Sequence, residues 1–184
     1  MKFACLLANG FEETEAITVI DCLRRGGVEV DLVSIHEIHV TGSHNITVVA
    51  DKLFEDMDEY DGVFIPGGQP GSTNLGSDER VLNLIREYAL EDKWISAICA
   101  APTVLAKAGV IKGKHLTSYP TSNVNGIFDE AYYSEDLVVV DGKMVTSRAM
   151  GTAIHLGIKL LEVLGLDHMK LAKSILFQDG VKHE

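Results

Sequence analysis

Two rhythms of apolar residues alternate along the chain. From Lys2 to Ala8 the apolar positions are continuous, which reads as a strand buried on both faces. After Asn9-Gly10, residues Ala16, Val19, Ile20 and Leu23 fall at i, i+3, i+4 and i+7. That spacing predicts an amphipathic helix. Gly26-Gly27 ends it, and Glu12, Glu13 and Glu15 in its opening turn suit the helix dipole. Val28, Val30 and Leu32 alternate as a second strand, and the irregular, β-prone stretch 36–53 predicts a small side hairpin. A third strand over 61–66 runs into Gly67-Gly68-Gln69-Pro70-Gly71. Ser77 then caps a helix with Val81, Leu84, Ile85 and Tyr88 on its apolar face. Trp94 to Ile98 is a further buried strand, and after Cys99 the pattern changes to small helix-favouring residues closed by Gly109. A short strand over 115–118 ends at Tyr119-Pro120. Asp141-Gly142 between apolar runs marks a hairpin, Ile154, Ile158 and Leu161 mark a long helix, and 167–176 a last one.

Strands alternating with helices over 184 residues predict a single α/β domain with a mainly parallel sheet. In such sheets the ligand crevice lies at the C-terminal ends of the strands, near the point where strand order reverses. Three stretches fall there: the turn 9–15, the Gly67-Gly68 turn and Cys99. A cysteine on a sharp strand-to-helix turn meets free backbone N–H groups and a partial positive charge, which favour thiolate. The alternative is a buried structural cysteine, since free cysteines are among the most buried residues.

Composition narrows the function classes. The formal net charge of −11 argues against a nucleic-acid or anionic-membrane role, since either needs a basic face. No run approaches the ~20 apolar residues of a membrane span, and the first apolar run is too short for a signal peptide. Three cysteines, Cys5, Cys22 and Cys99, without a CxxC pair, predict reduced thiols in a cytoplasmic protein, with Cys5 and Cys22 as packing residues. Gly67-Gly68-Gln69-Pro70-Gly71 is not a dinucleotide fingerprint, and Gly109 to His115 lacks the spacing and hydroxyl of a P-loop. His36 and His39 have HxxH spacing with no third ligand nearby, so no metal site is assigned.

Gly10-Phe11-Glu12-Glu13-Thr14-Glu15, Ile65-Pro66-Gly67-Gly68, Ala97-Ile98-Cys99-Ala100-Ala101-Pro102 and Thr146-Ser147-Arg148 occur in that order over nearly the whole chain. Together they resemble the DJ-one/ThiJ/PfpI superfamily. The resemblance implies a flavodoxin-like, doubly wound sheet flanked by helices, with a nucleophile-elbow cysteine. It implies Cys99 as nucleophile and Glu15 as the carboxyl group touching its sulfur. The N–H groups of Gly68 and Ala100 would form an oxyanion pocket, beside Gly67. It also implies a homodimer, and chemistry that needs no cofactor. A carboxyl group that stays protonated can donate to a thiolate, so the two groups would titrate as a pair. Glu12 and Glu13 are assigned only a dipole role.

Two departures bear on activity. The peptidase-like branch resembles Cys-His-Gly at the elbow, whereas Ala100 follows Cys99 here and offers no general base. Part of the family carries a His where this chain has Tyr119, a poor base near neutral pH. The implied activity is therefore conversion of α-oxoaldehydes such as methylglyoxal, or of early glycation adducts. The alternatives are a sensor or redox-regulated chaperone acting through Cys99 oxidation and, last, a PfpI-type peptidase or amidase.

Overall fold

Because strand β1 (Lys2–Leu7) is apolar on both faces, it is stable only inside a sheet covered on both sides. The computed structural model, which describes residues 1–55, 57 and 59–177, places it there. β1 pairs in parallel with β2 (Glu29–Ser34) on one side and with β6 (Gly62–Ile65) on the other. The seven-stranded sheet continues outward through β7 (Trp94–Ile98), β11 (Met144–Ser147) and β10 (Val138–Asp141), and ends at β5 (Lys52–Leu53) beside β2. Only β10 runs antiparallel, joined to β11 by the turn at Asp141-Gly142 that the sequence predicts. The chain has the doubly wound, flavodoxin-like α/β fold.

One face of the sheet is covered by helix α1 (Glu13–Arg25), with α5 (Ala153–Val163) and α6 (His168–Ser174) on the same side. The predicted face of α1 is buried through Ala16, Val19, Ile20 and Leu23. Helices α1 and α5 meet closely at Gly157, where an added Cβ would lie 2.5 Å from the Cys22 Cβ. Cys22 is buried there, and Cys5 lies in the same core on β1. The other face carries α2 (Gly71–Leu75), α3 (Glu79–Leu90) and α4 (Pro102–Ala108) over Leu6, Val63, Ile65, Ile95 and Ala97.

The structure corrects the predicted elements in four places. Asp78, not Ser77, caps α3, its carboxylate accepting from the Arg80 N–H, while the Ser77 hydroxyl donates to the Thr73 carbonyl. The stretch 36–53 is divided. β3 (His39–Thr41) and β4 (Thr47–Val49) form the side hairpin, but Lys52-Leu53 joins the main sheet. The strand expected over 115–118 is only β8 (His115–Leu116), and it pairs with β9 (Tyr132–Tyr133) in a separate two-stranded sheet. Helix α2 has no counterpart among the predicted elements, because its five residues carry no apolar period.

Strand order reverses between β1 and β6, so the loops after β1 and β6 face each other across the C-terminal edge, with the end of β7 beside them. Glu15, Gly67 and Cys99 meet at that edge.

Candidate active site

Cys99 follows β7 directly. Its φ of 63° is left-handed, a conformation that a non-glycine side chain adopts only when its surroundings hold it. Two main-chain bonds do so: the Cys99 N–H donates to the Ser147 carbonyl at 3.0 Å, and its carbonyl accepts from the Tyr119 N–H at 2.8 Å. The Ser147 hydroxyl lies 2.7 Å from that of Thr152, which in turn accepts from the Arg148 and Ala149 N–H groups. The turn is thus fixed by the segments that follow β8 and end β11, and the Cys99 side chain is half-buried at the end of β7.

Helix α1 brings Glu15 to the sulfur. The Glu15 side chain is 1% exposed, its Oε2 accepts from the Gly67 N–H at 2.9 Å, and its carboxyl group hydrogen-bonds the Cys99 thiol. The N–H groups of Ala100 and Gly68 also point at the Cys99 sulfur. Gly67 is required here by space, because a Cβ would lie 2.6 Å from the Cys99 Cβ and 2.7 Å from the Glu15 Oε2. Gly68 has φ +91° and sits against the main chain of Gly10 to Glu12. Cys99, Glu15, Gly67, Gly68 and Ala100 are therefore together. Tyr119 joins them through its main chain, and its side chain is 43% exposed.

The electrostatics run against one expectation. Burial pushes the Cys99 thiol up to about 12, reinforced by the charge and hydrogen bond of Glu15, and the N–H groups of Ala100 and Gly68 only partly offset this. Helix α4 starts at Pro102, so the positive end of its dipole lies beyond the sulfur's immediate shell. Burial likewise raises Glu15 to about 7, against the lowering by the Gly67 N–H and the thiol. The pair thus loses its first proton near neutral pH and holds the second far more tightly. When Glu15 carries the proton, its charge no longer opposes thiolate, and its O–H can donate to the sulfur.

Two neighbouring acids have roles beyond a dipole effect. Glu12 is the N-cap of α1, its Oε2 accepting from the Glu15 N–H at 2.6 Å. Glu13 is 5% exposed and anchors the β3–β4 turn, accepting from the His44 and Ile46 N–H groups at 2.7 and 3.3 Å. Burial opposes its ionisation, but the N–H groups around it outweigh burial and hold its carboxyl group below the usual range. Glu13→Ala should therefore cost about 1–3 kcal/mol by orphaning those donors, read as a lower Tm in thermal unfolding. An unchanged Tm would remove the anchoring role.

The ligand atoms of Glu12, Glu13 and His44 lie within 4.8 Å of one another and are the one such group of three among the described residues. His36 and His39, singled out by spacing, belong to no such group there. A cleft of about 690 Å³ between β10, α5 and α6 is lined by Leu137, Ile158, Met169 and Phe177 and does not include Cys99.

The sequence model of the DJ-1/PfpI family matches residues 1–163. The chain belongs to the DJ-1/PfpI family. It is similar to protein dj-1beta of Drosophila melanogaster, 39% identical over 162 residues, which are 86% of this chain and 87% of the relative. It is also similar to deglycase PfpI of Pyrococcus furiosus, 35% identical over 154 residues, covering 82% of this chain and 92% of the relative. Among solved structures of the family, Drosophila DJ-1beta superposes with a TM-score of 0.90 at 36% identity, covering 97% of this chain and 98% of that one. Oxidised Toxoplasma gondii DJ-1 superposes with a TM-score of 0.89 at 33% identity, covering 97% and 99%.

Of the residues around Cys99, the role of Glu12 was missed by sequence reasoning. A signal was present: Glu12 precedes Glu15 by three positions, the N-cap to N3 spacing of a capping pair.

Proposed function

We propose that this DJ-1/PfpI-family protein is a cysteine-dependent enzyme acting on α-oxoaldehydes such as methylglyoxal, or on their early glycation adducts. What supports this most is that one thiol faces both a carboxyl group able to carry a proton near neutral pH and two convergent N–H donors. The Pyrococcus relative named as a deglycase favours the same class.

The Cys99 sulfur, as thiolate, bonds to the aldehyde carbon of methylglyoxal, and the carbonyl electron pair moves to oxygen. The Gly68 and Ala100 N–H groups receive that oxyanion, which takes up a proton to give a hemithioacetal. Glu15, as carboxylate, removes the proton from the former aldehyde carbon and returns it to the adjacent carbon, while the hydroxyl proton of the hemithioacetal passes to the neighbouring ketone oxygen through the enediol. The result is a thioester of Cys99 with lactate, formed without net oxidation. Water then cleaves the thioester, releasing lactate and regenerating the thiol. The working state is a cytoplasmic homodimer. No helix among the described residues is long and apolar enough to cross a membrane.

The test is lactate formation from methylglyoxal by folded protein without added glutathione. Steady turnover is the expected result, and no lactate from folded protein would overturn the proposal for this substrate class. A second reading, a sensor acting through oxidation of Cys99, is favoured by the same two N–H groups, which could hold the oxygens of an oxidised sulfur. Selective peroxide oxidation of Cys99 in protein with no aldehyde turnover would support it.

A further inference from the structure

Three hydrogen bonds close a ring beside Cys99. The Glu12 carboxylate accepts from the Glu15 N–H at 2.6 Å. The Glu15 carboxyl group accepts from the Gly67 N–H at 2.9 Å. The Gly67 carbonyl accepts from the Glu12 N–H, again at 2.9 Å. Helix α1 and the loop after β6 are thus tied together in both directions, and Glu12 takes part with both side chain and main chain.

We propose that Glu12 is a positioning residue for the Cys99 site: its carboxylate closes the first turn of α1 onto Glu15 and so holds the Glu15 carboxyl group between Gly67 and the sulfur. The inference rests on Cys99 and Glu15 being the reactive pair. It deepens that assignment by naming what fixes their separation.

The choice of residue is informative. Short side chains such as Ser, Thr, Asp and Asn are the preferred N-caps, because they reach the N2 or N3 N–H with little loss of freedom. Here a Glu does that work, and it adds a negative charge next to a buried carboxyl group. Other ionisable groups face it: Glu13 and Glu15 on α1, and His44 on the side hairpin with its Nδ1 4.0 Å from the Glu12 Oε1. The Gly67-Gly68 loop itself contributes only main chain. The Glu12 charge helps to raise the proton affinity of Glu15, although burial is the larger cause. Glu12 therefore both places the Glu15 carboxyl group and favours its keeping a proton.

The experiment is the pH profile of Cys99 alkylation by iodoacetamide, with Cys99→Ser as blank, in wild type, Glu12→Gln and Glu12→Ala. The amide oxygen of Gln can still accept from the Glu15 N–H, but its charge is gone, whereas Ala loses both. In Glu12→Gln the expected result is a limiting rate within about twofold of wild type, and an inflection lowered by about half a pH unit. In Glu12→Ala the same inflection shift is expected, with a limiting rate changed about fivefold, the size of a lost cap. A wild-type profile in folded Glu12→Ala would overturn the proposal. Equal rate changes in both variants would also overturn it, since charge alone would then carry the effect. Should Glu12→Ala not fold, Glu12→Asn restores a neutral cap and must then match Glu12→Gln, and failure to match would overturn the proposal as well. Alkylation needs no aldehyde turnover, so loss of the proposed enzyme activity and loss of this role are read separately.

Discussion

Glu15→Gln is expected to slow lactate formation from methylglyoxal by about 10²–10⁴-fold, the usual range for a lost proton carrier, while leaving the protein folded. The amide oxygen can still accept from the Gly67 N–H, so the loop geometry survives, but no proton can be taken from one carbon and returned to the next. Cys99→Ser should reduce turnover to background, because a serine hydroxyl is far less acidic than a thiol and a much weaker nucleophile at neutral pH. Wild-type turnover in either variant would remove that residue from the mechanism.

The same Glu15 substitution should act on stability in the opposite direction. Burial raises the Glu15 carboxyl group from its ordinary value of 4.5 to about 7, so the folded protein binds that proton more tightly than the unfolded chain does. The stability this provides is fully present below about 4.5 and is lost as pH rises through about 7. Above that, wild type keeps an ionised carboxylate in a buried site, and the Gln variant does not. At pH 8 Glu15→Gln should exceed wild type by about 3 kcal/mol, with the difference vanishing near pH 4. Denaturant unfolding at the two pH values measures it. A variant that is less stable at pH 8 would mean that the Glu15 charge is stabilised by the site and not strained by it.

The second large effect is expected from Gly67→Ala. The new Cβ would lie 2.6 Å from the Cys99 Cβ, 2.7 Å from the Glu15 Oε2 and 3.0 Å from the Ile98 carbonyl oxygen. Two of these atoms belong to the pinned turn and cannot move away without displacing it. Only the Glu15 carboxyl group can yield, and its movement breaks the contact with the sulfur. Overpacking of this kind costs about 1–3 kcal/mol, and the variant should also lose most lactate formation. Gly151→Ala is the control, since a Cβ there meets nothing within 4 Å and its φ is ordinary. Equal stability and activity in the two variants would show that the loop after β6 is more compliant than its contacts imply.

Much of the molecule was legible in the sequence because its signals are local. The continuous apolar runs of β1, β6 and β7, the spacing of Ala16, Val19, Ile20 and Leu23, and the Asp141-Gly142 turn each follow from period and turn chemistry within a few residues. Alternation of these elements was enough for the parallel sheet, and the four motif stretches were enough for the family. Cys99 and Glu15 could be named as partners through the family resemblance, but no local pattern reaches across β6, which separates β1 from β7 in the sheet, to predict their contact. The elements that the sequence does not announce are short and carry little period: α2, β9 and the two residues of β5, whose pairing is settled by neighbours distant in sequence.

Only the tertiary structure decided the charge state around the sulfur. From sequence, a turn ahead of a helix argues for thiolate; in the fold, burial and the facing carboxylate outweigh two N–H donors, so the thiol is pushed up while Glu15 titrates at about 7. Glu12 and Glu13 illustrate the same point. In the sequence they are adjacent acids at a helix start with one shared explanation. Once the side hairpin and the loop after β6 close around them, one holds Glu15 and the other holds the hairpin turn. Desolvation and hydrogen-bond direction depend on which remote segments come together, and no local pattern encodes that.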